Sequence, residues 1–148
     1  MGKREIDGFF GDYRFLTNIY PSIVIFEGRT YPTVEHAYQA AKTLDEDLRK
    51  QICYAKSPVR AIAMGKELKK DKKVRKDWRR VKLQIMRELL KLKFSTYEMR
   101  QYLNTTVGFT LINRNYFGDR FWGVYKGVGQ NILGKMLMEL RDGVIYVD

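Results

Sequence analysis

Apolar side chains recur at Val74, Trp78, Val81, Ile85, Leu89 and Leu92, a helical period held for about twenty residues. A stripe of that length must be covered on one face, so it predicts a core helix to which the remaining elements are fitted. Before it, Phe9-Phe10, Phe15-Leu16 and Ser22-Ile23-Val24-Ile25-Phe26 alternate as strands do, with a Glu27-Gly28 turn and Arg29-Thr30-Tyr31 returning as a β-hairpin. Pro32 stops that strand and Thr33 is a helix N-cap, opening a helix from about Val34 to Leu44. A second helix is expected around Asp45 to Ala55, and Ser57-Pro58 opens a third, running to about Leu68. Beyond the core helix come a short helix from Thr96 to Leu103 and a strand over Phe109–Asn113. A last helix has Leu133, Met136, Leu137 and Leu140 on one face. Gly143 ends it, and Val144–Val147 reads as a closing edge strand. The pattern predicts an α+β fold, a helix-dominated single domain over residues 1–148 with an N-terminal β-hairpin and a small sheet.

Composition narrows the function. The apolar runs are too short for a membrane span, and the charged start Met1–Asp7 lacks an apolar signal region, so a cytoplasmic protein with no membrane partner is expected. A lone cysteine, Cys53, excludes an internal disulfide, and with a lone histidine, His36, no Cys/His metal site and no metal or other cofactor is expected. Of the net charge of +11, +9 falls between Lys66 and Lys93, with thirteen Lys/Arg against four Asp/Glu. Such a stripe either attracts polyanions or is a solvated helix face.

Three stretches bear chemistry. On the helix opened by Thr33, Val34, Ala37, Tyr38, Ala41 and Leu44 form an apolar face, bordered by Glu35, Gln39 and Lys42 at i, i+4 and i+7. A carboxylate and an amine on one edge serve acid/base and nucleophilic work, although acid in the first turn and lysine in the last also simply complement the helix dipole. Further on, Phe121-Trp122-Gly123 and Gly127-Val128-Gly129-Gln130-Asn131 feed the last helix: an indole that is either a core plug or a stacking platform, glycines for close approach and a helix start for phosphate. The ending of a P-loop is missing there, and Asp119 just before it is either a proton donor or a turn former. Near the N-terminus, Arg14 suits a phosphate and Asn18 either a base edge or sugar or, with Pro21, a turn, with Phe15 and Tyr20 as aromatics in the same stretch.

Taken in order, Phe15–Pro21, Tyr31–Lys42, Asp77-Trp78 with Val81-Lys82-Leu83 and Met86, and Asp119–Gly123 with Gly129–Lys135 resemble the NADAR family of YbiA-like domains, over nearly the whole chain. The resemblance implies a metal-independent N-glycosidase that cleaves a ribose–base bond. Its substrate would be ADP-ribose attached to guanine in DNA or RNA, or a phosphoribosylamino-pyrimidine of riboflavin synthesis. Under it Glu35, Lys42 and Asp119 are the catalytic candidates, Lys42 through a Schiff base. Arg14, Phe15, Asn18, Tyr20, Tyr38, Trp122, Gly123, Gly129 and Asn131 are the substrate-binding candidates, whereas Trp78 by its period is core. Asn113 stands where many relatives have an acid, and Val124-Tyr125 follow the Trp-Gly pair where small or acidic residues are usual. The rival readings are a non-catalytic ADP-ribose or NAD module and a basic nucleic-acid-binding protein. The catalytic reading requires Glu35, Lys42 and Trp122 to meet at one sugar-sized hollow.

Overall fold

A computed structural model describes residues 4–143. In chain order its elements are β1 (Glu5–Asp7), a 3-10 helix (Gly11–Leu16), β2 (Val24–Phe26), β3 (Arg29–Tyr31), α1 (Val34–Ala41), α2 (Glu46–Cys53), α3 (Pro58–Lys70), α4 (Trp78–Lys93), α5 (Tyr97–Asn104), β4 (Thr110–Ile112) and α6 (Ile132–Arg141). The fold is α+β and helix-dominated, and the chain divides into two compact units, Asn18–Ser95 and the two ends of the chain up to Thr17 and from Thr96.

In the central unit β2 and β3 pair antiparallel, Val24 opposite Tyr31 and Phe26 opposite Arg29. Glu27 at φ 48° and Gly28 at φ 80° make the two-residue turn, both in the left-handed region that such hairpins demand. Thr33 caps α1 as expected, accepting from the His36 backbone N–H at 3.1 Å. Its hydroxyl then donates to His36 Nδ1 at 2.8 Å, while Nε2–H donates to the Ala55 carbonyl at 3.1 Å, tying α1 to the end of α2. Burial lowers the His36 pKa, so the ring stays a neutral structural strut. Val34, Ala37, Tyr38, Ala40 and Ala41 are buried, and the alanines let α2, α3 and α4 close on the helix. Leu44 departs from the expected face: α1 ends at Ala41, and Leu44 is 63% exposed. Val74 likewise lies outside α4, whose buried stripe is Ile85, Met86, Leu89 and Leu90.

In the unit of the chain ends, β1 and β4 pair parallel, Glu5 opposite Thr110 and Asp7 opposite Ile112. The strand reading of Phe15-Leu16 is corrected: both are buried side chains of the 3-10 helix, and Phe15 packs on Tyr102 of α5 at 5.4 Å. Three-residue strands leave too short an alternation to be told from a turn of 3-10 helix. The proposed edge strand Val144–Val147 lies outside the described residues. Among those described, no helix is long and apolar enough to cross a membrane.

Candidate functional site

The central unit gathers its chemistry on one edge of α1. Gln39 Nε2 donates to Glu35 Oε1 at 2.9 Å, one turn along the helix. Lys42, at the helix end, lays its ammonium 5.4 Å from the centroid of the Tyr38 ring. Its carbonyl accepts the Arg75 N–H at 2.7 Å, and Arg75 is forked onto Asp77, its Nε 2.6 Å from Oδ1 and its Nη2 3.0 Å from Oδ2. That clamp brings in the start of α4, where the Trp78 indole meets Tyr38 at 5.1 Å. Lys82 follows Trp78 by one turn on α4, and Lys66 and Lys69 follow Gly65 on α3.

Electrostatics follow from that packing. Burial is the main force lowering the Lys42 pKa; Glu35 pulls it back up, and Lys82, Lys69 and Lys66 push it down. A shielded amine among other cations holds its proton weakly, which is what nucleophilic lysines require. Tyr38 has a different place from that of a free stacking face. It is 7% exposed, covered by Trp78 and serving as a floor for Lys42. Trp78, half-buried, is the ring with surface to offer beside Lys42. Sequence reasoning assigned Trp78 to the core and gave Lys66, Lys69 and Lys82 no individual role. The Trp78/Lys82 pair at i, i+4, one turn into a helix opened by Asp77, was the available signal.

The other unit holds Asp119, Trp122, Gly123, Gly129 and Asn131 in one knitted segment. Asp119 Oδ1 accepts from the backbone N–H of Phe121 at 3.0 Å and of Trp122 at 2.9 Å, the turn-forming role foreseen as the alternative. Trp122 is half-buried, with Phe121 set edge-on at 4.9 Å. The expected phosphate cradle at the start of α6 is closed by the chain itself. Gln130, Asn131, Ile132 and Leu133 donate their N–H groups to the carbonyls of Arg120, Gly123, Phe121 and Trp122, at 2.8 to 3.2 Å. Asn131, at φ 54°, accepts from the Asn113 N–H at 2.8 Å and donates to the Leu111 carbonyl at 2.9 Å, pinning α6 to β4. Cβ atoms at Gly123 and Gly129 would overlap the Asn113 and Gly123 carbonyls, so these glycines are where backbone meets backbone. Asn113 donates its amide to the Trp122 carbonyl at 3.3 Å and belongs to the same lattice.

The remaining candidates are dispersed. Phe15 is core and Arg14 is exposed on the 3-10 helix. Asn18 touches the α1 site through its backbone, its carbonyl accepting the Glu35 N–H at 3.0 Å, while its amide reaches Met86 Sδ at 3.7 Å. Tyr20 lies under Lys93, whose ammonium is 5.8 Å from its ring centroid. The basic stripe is not one face: Lys93 is buried, Lys82 half-buried, and Lys72, Lys73 and Lys76 exposed. Cys53 donates to the Thr30 carbonyl at 3.1 Å, and burial raises its pKa, so it is an inert thiol. Among the described residues no group of three or more His, Cys, Asp or Glu side chains is placed to hold a metal.

The α+β scaffold thus sets a shielded amine and a hydrogen-bonded carboxylate on one helix edge, with three lysines acting on the amine. A NADAR domain model matches residues 5–144, across both units, and the chain belongs to the NADAR family. It is 39% identical over 133 residues to N-glycosidase YbiA of Escherichia coli (strain K12), covering 88% of this chain and 81% of that protein. It is 36% identical over 137 residues to N-glycosidase Npun_R5314 of Nostoc punctiforme, covering 89% and 86%. With the chloroplastic riboflavin biosynthesis protein PYRR of Zea mays it shares 38% identity over 126 residues, 78% of this chain and 20% of that one. The NMR structure of E. coli YbiA superposes with a TM-score of 0.81 at 36% identity, covering 97% of this chain and 87% of that one.

Proposed function

We propose that this chain is an N-glycosidase, acting as a single functional domain, that hydrolyses the bond between C1′ of a phosphate-bearing ribose and the nitrogen of a base. The observation that supports it most is the Lys42 amine, shielded on the Tyr38 ring with Glu35 and three further lysines acting on its charge. In its neutral form the amine attacks C1′, the C1′–N bond breaks, and the departing nitrogen takes up a proton. Glu35 accepts the proton that Lys42 sheds and returns it to that nitrogen, and its charge stabilises the cationic sugar in between. The sugar ring opens to a Schiff base on Lys42, and water adds to release the free ribose and the amine. Lys66, Lys69 and Lys82 hold phosphate, and Trp78 offers the departing base a face. Asp119 acts by shaping the turn that presents Trp122. No step requires a metal.

The exposed Lys72, Lys73 and Lys76 favour ADP-ribose attached to guanine in nucleic acid, whereas the relative named for riboflavin biosynthesis favours a phosphoribosylamino-pyrimidine. One experiment separates these and tests the whole. The protein is incubated with a guanine-ADP-ribosylated oligonucleotide, with NAD and with a phosphoribosylamino-pyrimidine, with and without borohydride, and read by base release and intact mass. Base release from the oligonucleotide or the pyrimidine is expected, with a reduced adduct that maps to Lys42 and is absent from Lys42→Arg. Release from none of the three, or an adduct that persists in Lys42→Arg, overturns the reading.

A further inference from the structure

We propose that Gln39 is the positioning residue of Glu35 and that Gly65 on the neighbouring α3 is the slot that seats it. The inference rests on the reading of Glu35 as the proton carrier. Gln39 is 4% exposed, and its amide N–H is the donor that holds Glu35 Oε1 at 2.9 Å. The other end of the amide is pressed against α3: a Cβ built on Gly65 would overlap Gln39 Oε1 and crowd its Cδ. The orientation of the amide is therefore dictated, since turning it over would set oxygen against the Glu35 carboxylate and put the NH2 group against a carbon.

This arrangement costs stability. Gln39 Oε1 is buried with no hydrogen-bond partner among the described residues, and it lies against the Cα side of Gly65. Methionine would fill the same volume without that penalty. Glycine inside α3 is a second cost, since alanine would strengthen the helix. Both are explained if the glutamine serves the carboxylate. A donor on Glu35 favours its ionised form and fixes its rotamer. Lys42, at the C-cap of α1, is acted on by Glu35 and by Lys66 and Lys69 of α3 and Lys82 of α4. Arg49 on α2 is turned to Thr43 O and Glu27, and Arg29 on β3 to Glu46.

The test is a carbon-13 NMR titration of the Glu35 carboxyl, with kcat and KM across pH, in wild type, Gln39→Met and Gly65→Ala. In Gln39→Met the Glu35 midpoint is expected to move up by about half a pH unit or more. With it the acid limb of kcat rises, kcat falls about tenfold and KM stays within about twofold, with Tm unchanged or higher. Gly65→Ala keeps the amide but evicts it, and is expected to move the midpoint the same way. Should Gln39→Met fail to fold, Gly65→Ala reads the same contact from the opposite helix. A Glu35 midpoint that stays at its wild-type value in either folded variant overturns the proposal, even if activity falls. A midpoint that moves while wild type releases no base sinks the glycosidase reading and leaves the positioning contact standing.

Discussion

Near the end of α4 the chain buries a lysine. Lys93 is 1% exposed, with its ammonium 5.1 Å from the Phe94 ring centroid and 5.8 Å from that of Tyr20. Burial alone brings its pKa from 10.5 to about 7. In the unfolded chain the amine regains its ordinary value, so between about pH 7 and 10.5 the unfolded state binds more protons than the folded one. Stability therefore rises with pH across that window, by at most about 1.4 kcal/mol per pH unit. Below about pH 7 both states are protonated and the penalty is complete; above 10.5 both are neutral and it vanishes. The full interval caps the penalty at about 5 kcal/mol, and each ring–cation contact returns roughly 0.5–1 kcal/mol. Lys93→Met, which keeps the length and removes the charge, is expected to stabilise the protein at pH 6 by about 2–4 kcal/mol, or roughly 5–15 °C in Tm. The gain should fade as pH rises from 7 toward 10. Urea and thermal unfolding of both proteins from pH 5 to 10.5 measure the difference, which cancels the contribution of Tyr31, whose raised pKa acts on both. Parallel stability curves, or a Met variant less stable than wild type at pH 6, would refute the burial argument. Because Lys93 is sealed from solvent, its substitution should also leave the borohydride adduct intact.

The other expectations concern the two motif segments. The proposed attack by the neutral amine of Lys42 requires that kcat rise with pH through its lowered pKa. Combining Lys66→Gln, Lys69→Gln and Lys82→Gln, which removes three of the forces lowering that pKa, should move the limb to higher pH and raise KM. A pH–rate profile with an unmoved limb counts against the cation cluster. Asn131→Ala loses bonds of 2.8 and 2.9 Å and puts alanine at φ 54°, so about 2–4 kcal/mol of stability should be lost with KM unchanged in the folded fraction. A raised KM with an unchanged Tm would return Asn131 to the ligand.

What was legible in the sequence was whatever local chemistry decides. Thr33, Asp45, Ser57 and Thr96 all cap the helices that follow them, each accepting a backbone N–H from three residues on. The Glu27-Gly28 turn fixed the hairpin register, and the i, i+4, i+7 spacing put Glu35, Gln39 and Lys42 on one edge. The parallel pairing of β1 with β4 joins residues over a hundred positions apart through strands of three residues, and no local pattern marks it. Burial was equally hidden. A lysine two places before Ser95 reads as solvated, yet Lys93 is core.

The Trp-Gly segment shows why a motif rich in Gly and Asn is ambiguous on its face. Glycine permits close approach by a ligand or by another strand of backbone, and asparagine can read a nucleotide or imitate a peptide. Here Asn113, Asn115, Asp119 and Asn131 all bond to main chain, and Gly123, Gly129 and Gly134 each stand against a carbonyl. The segment is therefore knitted to its own main chain, and it carries the half-buried Trp122 ring. Its glycines and amides serve the main chain of the segment itself. On α1 the relation runs the other way: Ala37, Ala40 and Ala41 are small so that neighbouring helices close in, and that closeness is what shields Lys42. Replacing any of those alanines by a larger residue should raise the Lys42 pKa before it unfolds the domain, because solvent reaches the amine as soon as the helices part.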